Sequence, residues 1–127
     1  MTNLKVLYVD DEPDIREVAA FALELDPGIE LKTQCCGFDA LTMLSQLEWR
    51  PDVLLLDVMM PEMDGPTTLA QIRQLPGLSQ TPAVFITARA QPQEQEAIKA
   101  MGAVGVITKP FDPMTLASDL RQILSGR

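Results

Sequence analysis

Five short apolar runs, each followed by a longer stretch with helical spacing, restrict what this chain can fold into more than any other property. The runs cover residues 4–9, 53–56, 83–86 and 104–107, with a weaker one at 30–34. They are rich in Val, Leu and Ile and continuous rather than alternating, which suits strands covered on both faces. Between them, Ile15, Val18, Ala22 and Leu25 recur at spacings of three and four and predict one helical face. Pro13 is tolerated in a first turn, and Pro27-Gly28 stops that helix. Leu41, Leu44 and Leu47 mark a second helix that ends before Arg50-Pro51. Leu69, Ile72 and Leu75 mark a third, ended by Pro76-Gly77. Residues 93–101 form a fourth, closed by Gly102, and Leu116, Leu120 and Ile123 a fifth. Strand–helix alternation repeated five times predicts an α/β doubly wound fold, a parallel sheet with helices on both faces. Five strands favour the flavodoxin-like (βα)5 order 2-1-3-4-5, whose ligands bind at the carboxyl ends of strands 1 and 3.

Composition narrows the function. At 127 residues the chain supports one domain, 1–127, with a core that needs no staples. No apolar run approaches ~18 residues, so no membrane span is expected. Residues 1–5 lead straight into the first strand without the pattern of a secretory signal, so a cytoplasmic location is expected. Ten Lys+Arg against 18 Asp+Glu give a net charge of −8, which argues against direct nucleic-acid binding. The absence of histidine removes His general bases, Ser-His-Asp triads and His-ligated zinc. The cysteines Cys35 and Cys36 are adjacent and have no third partner, so they read as free thiols filling buried space in a reducing compartment.

The strand ends carry the chemistry. Strand 1 ends in Asp10-Asp11, strand 3 in Asp57, strand 4 in Thr87-Ala88 and strand 5 in Lys109-Pro110. Neighbouring strands lie about 4.8 Å apart, so the three carboxylates converge in one small cleft. Lys109 offsets one of three negative charges, and the remaining two call for a divalent cation. All-oxygen ligands point to Mg²⁺ or Mn²⁺. A phosphoryl group supplies the missing ligand, with Thr87 donating a hydrogen bond to it and Lys109 pairing with it as a point charge. No Ser, Cys or His lies on this rim, so the nucleophile is a carboxylate. Asp57, at the end of the central strand and followed by the loop 58–64, is placed for that role, giving an aspartyl-phosphate.

The segments Val9-Asp10-Asp11-Glu12, Leu56-Asp57-Val58-Met59-Met60-Pro61-Glu62-Met63-Asp64-Gly65, Thr87-Ala88 and Lys109-Pro110-Phe111 resemble the receiver domain of two-component response regulators over essentially the whole chain. The resemblance implies that Asp57 accepts the phosphoryl group. It implies that Asp11 and Asp57 coordinate Mg²⁺ directly, that Asp10 acts through water, and that the Met59 backbone carbonyl is a further ligand. Ala88 is small enough to let its backbone N–H approach the phosphoryl, and the Lys109-Pro110 bond is expected to be cis. The implied partners are a histidine kinase or histidine phosphotransfer protein, with the donor histidine supplied in trans. A downstream protein target is expected on the face made by helix 4, strand 5 and helix 5, where a homodimer is also compatible. Such a domain is a regulatory phospho-acceptor and not a turnover enzyme.

The chain departs from the family at Val106, where receivers often carry Tyr or Phe. Without a ring to swing, the signal is expected to pass through the loop 88–93. Met59 is apolar and cannot position water beside an acyl phosphate, which predicts slow self-dephosphorylation. No output domain fits after Arg127, so output by protein contact is expected if the chain is complete. Asp10-Asp11 as a mere helix cap is the alternative to metal binding. A phosphorylation-independent pseudo-receiver is the alternative function, and the intact Asp10, Asp11, Asp57, Thr87 and Lys109 speak against it. A flavodoxin-type cofactor protein would need a phosphate cradle after strand 1, where Asp10-Asp11-Glu12 repels phosphate. An HAD-type phosphatase would need its nucleophile on strand 1 with a second Asp two residues later, which Asp10-Asp11-Glu12-Pro13 lacks.

Overall fold

A computed structural model describes residues 3–126. Met1 and Thr2, part of the segment read as lacking a signal, and Arg127 lie outside the described residues. The elements run β1 (Leu4–Val9), α1 (Pro13–Glu24), β2 (Ile29–Gln34), α2 (Gly37–Gln46), β3 (Val53–Asp57), α3 (Gly65–Ile72), β4 (Ala83–Thr87), α4 (Pro92–Lys99), β5 (Gly105–Thr108) and α5 (Leu116–Ser125). All strands are parallel in one sheet of order β2-β1-β3-β4-β5. The expected doubly wound (βα)5 sheet is therefore the observed one. Among the described residues no helix is long and apolar enough to cross a membrane.

Period-2 alternation in strands buried on both sides sorts the core into two layers. Val6, Tyr8, Val53, Leu55, Val84, Ile86 and Ile107 face α1 and α5, where Ala19, Ala22, Leu23, Leu116 and Leu120 meet them. Leu7, Val9, Leu54, Leu56, Ala83 and Phe85 face α2, α3 and α4, against Ala40, Leu44, Leu69, Ile72 and Ile98. Leu54, Leu55 and Leu56 are fully buried. Burial of each contributes about 1.5–3 kcal/mol, which keeps the central strand fixed beneath the site.

Two helical expectations need correction. Val18 and Leu25 were assigned to the inner face of α1, yet both are nearly half exposed, as is Leu47 after α2. The inner stripe of α1 is Ala19, Ala22 and Leu23: Ala22 lies where expected, while Ala19 and Leu23 take the places of Val18 and Leu25. Alanines pack closest to the sheet, and the larger side chains flank them. The cysteines are free as expected but not buried: Cys35 is exposed and Cys36 half-buried. Cys36 is the N-cap of α2, its Sγ accepting the Asp39 N–H at 3.4 Å.

Candidate metal and phosphoryl site

The carboxyl ends of β1, β3, β4 and β5 bring Asp10, Asp11, Asp57, Thr87 and Lys109 onto one rim. One carboxylate oxygen from each of Asp10, Asp11 and Asp57 lies within 4.8 Å of the others. Asp10, Asp57 and Thr87 are buried, at 0%, 3% and 1% exposure. The Lys109 ammonium stands 3.2 Å from Asp10 Oδ2, 3.3 Å from Asp57 Oδ1 and 3.3 Å from Glu12 Oε1. Lys109-Pro110 is cis.

Close backbone approach places these groups. A Cβ at Gly65 would lie 2.5 Å from the Asp57 carbonyl oxygen, so only glycine lets α3 begin directly beside β3. The Gly65 N–H donates to Val58 O at 2.9 Å, closing the loop over the strand end. The Asp64 carboxylate caps α3 through the Thr67 N–H at 2.8 Å. Met60 tucks under this loop while Met59 is exposed.

The electrostatics are those of a site in which carboxylates outnumber cations. Burial, then the neighbouring Asp10, push the Asp57 carboxyl up from 3.8 to about 7; Lys109 opposes them, and Asp11 adds to the rise. Burial alone would lower Lys109, but Asp57 and Asp10 outweigh it and hold its ammonium charged above the ordinary lysine range. Three carboxylates and one ammonium leave a formal charge of −2. Asp11 Oδ1 is buried without a hydrogen-bond partner. A buried, orphaned carboxylate oxygen beside two others is what a hard divalent cation satisfies, so the donor set fits Mg²⁺. Asp10 is not the cap of α1: Glu12 holds that position and makes no side-chain cap. The Asp10 carboxylate instead accepts the Glu12 N–H at 3.0 Å.

Beside the acidic trio, Thr87 Oγ1 accepts the Arg89 N–H at 3.1 Å. Arg89 O accepts the Gln95 amide at 3.0 Å, and the same amide donates to Thr108 Oγ1 at 2.6 Å. Val106 lies on the Thr108 face of β5, packed against the α2–α4 side of the core. Ala88, Lys109, Pro110 and Phe111 line a largely apolar groove of about 510 Å³ together with Glu12, Ile15 and Val18.

Three contributors escaped sequence reading. Glu12 was quoted only within the acidic motif, yet it pairs with Lys109. Tyr8 read as one more apolar strand residue, yet its hydroxyl reaches Asp10. Gln95 carried no signal, because its role depends on the distance from α4 to β5.

Residues 6–121 match the response regulator receiver domain family. The chemotaxis response regulator CheY4 of Vibrio cholerae is 35% identical, with a TM-score of 0.83 over 96% of this chain and 99% of that one. An uncharacterized 14.6 kDa protein from Leptolyngbya boryana is 34% identical over 96% of this chain and 91% of its own length. A protein-glutamate methylesterase/protein-glutamine glutaminase of Halalkalibacterium halodurans is 38% identical over 96% of this chain, which spans 34% of that longer protein. With the sheet order, the acidic trio and the cis Lys109-Pro110 bond alongside these matches, the chain belongs to the receiver domain family of two-component response regulators.

Proposed function

We propose that residues 1–127 form a single receiver that takes a phosphoryl group onto Asp57 from a histidine kinase or histidine phosphotransfer protein and thereby changes what it binds. The observation that carries this is the buried Asp57 carboxylate held among Asp10, Asp11 and Lys109. An Asp57 oxygen attacks phosphorus, a P–O bond forms and the donor's P–N bond breaks. The electron pair returns to the donor imidazole, which takes up a proton. Lys109 pairs with the phosphoryl oxygens, and Thr87 and the Ala88 N–H donate to them. Asp11 and Asp57, with the Met59 carbonyl, would hold Mg²⁺ or Mn²⁺, and Asp10 would reach it through water. Such a cation neutralises charge that builds on the phosphoryl oxygens during transfer.

Readout follows from Thr87. A hydroxyl drawn to a phosphoryl oxygen stops accepting from Arg89, and the loop 88–91 is released. Gln95 then loses its anchor on Arg89 O and its hold on Thr108 changes. That polar chain supports passage of the signal to the α4–β5–α5 face without an aromatic ring at Val106. A population shift of this face from 1:99 to 99:1 requires a differential of about 5.5 kcal/mol. The partner surface is protein rather than nucleic acid, in keeping with the −8 charge. Free thiols at Cys35 and Cys36 are compatible with the cytoplasm.

Intact mass after incubation with a small acyl phosphate and Mg²⁺ tests the reading. One added phosphate is expected, absent in Asp57→Ala. No adduct, or an adduct that survives Asp57→Ala, overturns it. Amide spectra with a phosphoryl mimic are expected to change across residues 87–110; unchanged spectra there refute the proposed readout.

A further inference from the structure

Tyr8 is the one tyrosine of the chain and is fully buried in β1 on the side facing α1 and α5. Its hydroxyl donates to Asp10 Oδ2 at 2.5 Å. The other oxygen, Oδ1, accepts the Glu12 N–H at 3.0 Å, and Lys109 Nζ stands 3.2 Å from Oδ2. Asp10 is therefore held by three donors, two on Oδ2 and one on Oδ1. Its neighbour Asp11 is the opposite case, with a buried Oδ1 that has no partner. Adjacent carboxylates of one site thus differ: both Asp10 oxygens have protein donors and keep lone-pair capacity for water, whereas Asp11 Oδ1 has no protein donor.

We propose that Tyr8 is a positioning residue, which pins Asp10 as an acceptor for the water shell of the bound cation and leaves the direct bonds to Asp11 and Asp57. The inference rests on the Mg²⁺ site of the preceding section. Magnesium keeps several of its waters and tolerates little departure from octahedral geometry, so those waters need fixed acceptors. A phenol suits the task because it is a neutral donor that adds no charge to the site. Its ring is locked among core side chains, so the hydroxyl, and with it Asp10 Oδ2, has little freedom to turn. Hydrogen-bonding partners behind metal-site carboxylates typically carry about 10–100-fold in metal affinity. Calcium, with its looser and larger shell, accepts an additional swinging carboxylate more readily.

The experiment is a double-mutant cycle on the full chain, read by calorimetric titration of Mg²⁺ and of Ca²⁺. Tyr8→Phe keeps the ring and removes the donor. It is expected to weaken Mg²⁺ about 10-fold, with a smaller change for Ca²⁺, so that the preference for Mg²⁺ falls. In the Asp10→Asn background the same change is expected to alter Mg²⁺ affinity by under about 2-fold, because the residue through which Tyr8 acts has lost its carboxylate. Unchanged Mg²⁺ affinity in Tyr8→Phe, or equal losses in both backgrounds, overturns the proposal. A second readout needs no variant. Labelled tyrosine gives a single ring system, whose buried, hydrogen-bonded hydroxyl is expected to shift with Mg²⁺ along the same saturation curve as the site. A hydroxyl signal indifferent to Mg²⁺ while other resonances saturate overturns the role of Tyr8 alone. The absence of any saturable Mg²⁺ site overturns the metal reading beneath it.

Discussion

The two rims of the sheet are built on opposite rules. At the amino rim, most charges meet partners, although Arg73 Nε is buried without one while its Nη2 donates to Thr81 O and Gly102 O. Asp26 takes the Arg121 guanidinium at 2.6 and 3.3 Å and also accepts the Gly28 N–H. Arg50 donates to the carbonyls of Leu44, Leu47 and Trp49, closing the end of α2, and to Pro76 O across the next loop. Asp52 accepts the Lys5 N–H, and Trp49 donates to Glu30 under the Lys32 ammonium. At the carboxyl rim, anions outnumber cations in a buried cleft, and one carboxylate oxygen has no partner. One rim is optimised for the fold. The other stores repulsion among its carboxylates at the expense of stability, which a bound divalent cation would relieve.

Substitutions on each side sharpen this contrast. The largest effect is expected at Gly65, where a side chain would collide with the Asp57 carbonyl. Gly65→Val should destabilise by about 3 kcal/mol or more in urea unfolding and abolish phosphate incorporation. A wild-type-like midpoint would show that α3 can retreat from β3. Next come two changes of like chemistry and opposite sign. Asp57→Asn removes a repelled charge and should stabilise the metal-free protein by about 1–3 kcal/mol at pH 8. Asp26→Asn breaks a matched, charge-assisted pair and should destabilise by about 1–2 kcal/mol. Equal signs in thermal melts would erase the distinction between the rims.

The pH profiles should differ as well. Asp57 has a folded-state pKa raised to about 7, so its contribution is present at acid pH and lost as pH rises through 7 in the metal-free protein. Saturating Mg²⁺ should flatten that decline. Asp26 is shifted down, chiefly by its hydrogen bond to Arg121, so its contribution is present above about pH 4 and lost as pH falls. Melting temperature against pH, with and without Mg²⁺ and in Asp57→Asn, separates the two. The smallest effect is expected from Lys32→Ala, about 0.5–1 kcal/mol from the ammonium 5.4 Å from the Trp49 ring centroid, with no change in Mg²⁺ affinity.

Much of this was legible in the residue order, for identifiable reasons. A strand buried on both faces must be apolar throughout, so the first polar residue after each run marks the rim: Asp10, Asp57 and Thr87 announce themselves, and Lys109 follows directly on Thr108. Side-chain partners were harder to read. Tyr8 hides its hydroxyl inside an apolar pattern. Arg50, beside Pro51, reads as a helix stop although its guanidinium does the capping. On α1 the expected face shares Ala22 with the observed one, but Ala19 and Leu23 stand in it where Val18 and Leu25 are expected, because an alanine such as Ala19 carries little hydrophobic signal beside them. Cys36 was taken for core filler because a thiol as helix cap has no common sequence signature.

Trp49 sits before β3, so about 13 Å of strand separates its end of the sheet from Asp57. It is also the single tryptophan. Its emission is therefore expected to report unfolding and to change little during an ion titration at the other rim. Optical denaturation curves recorded at rising magnesium can thus be read as changes in stability.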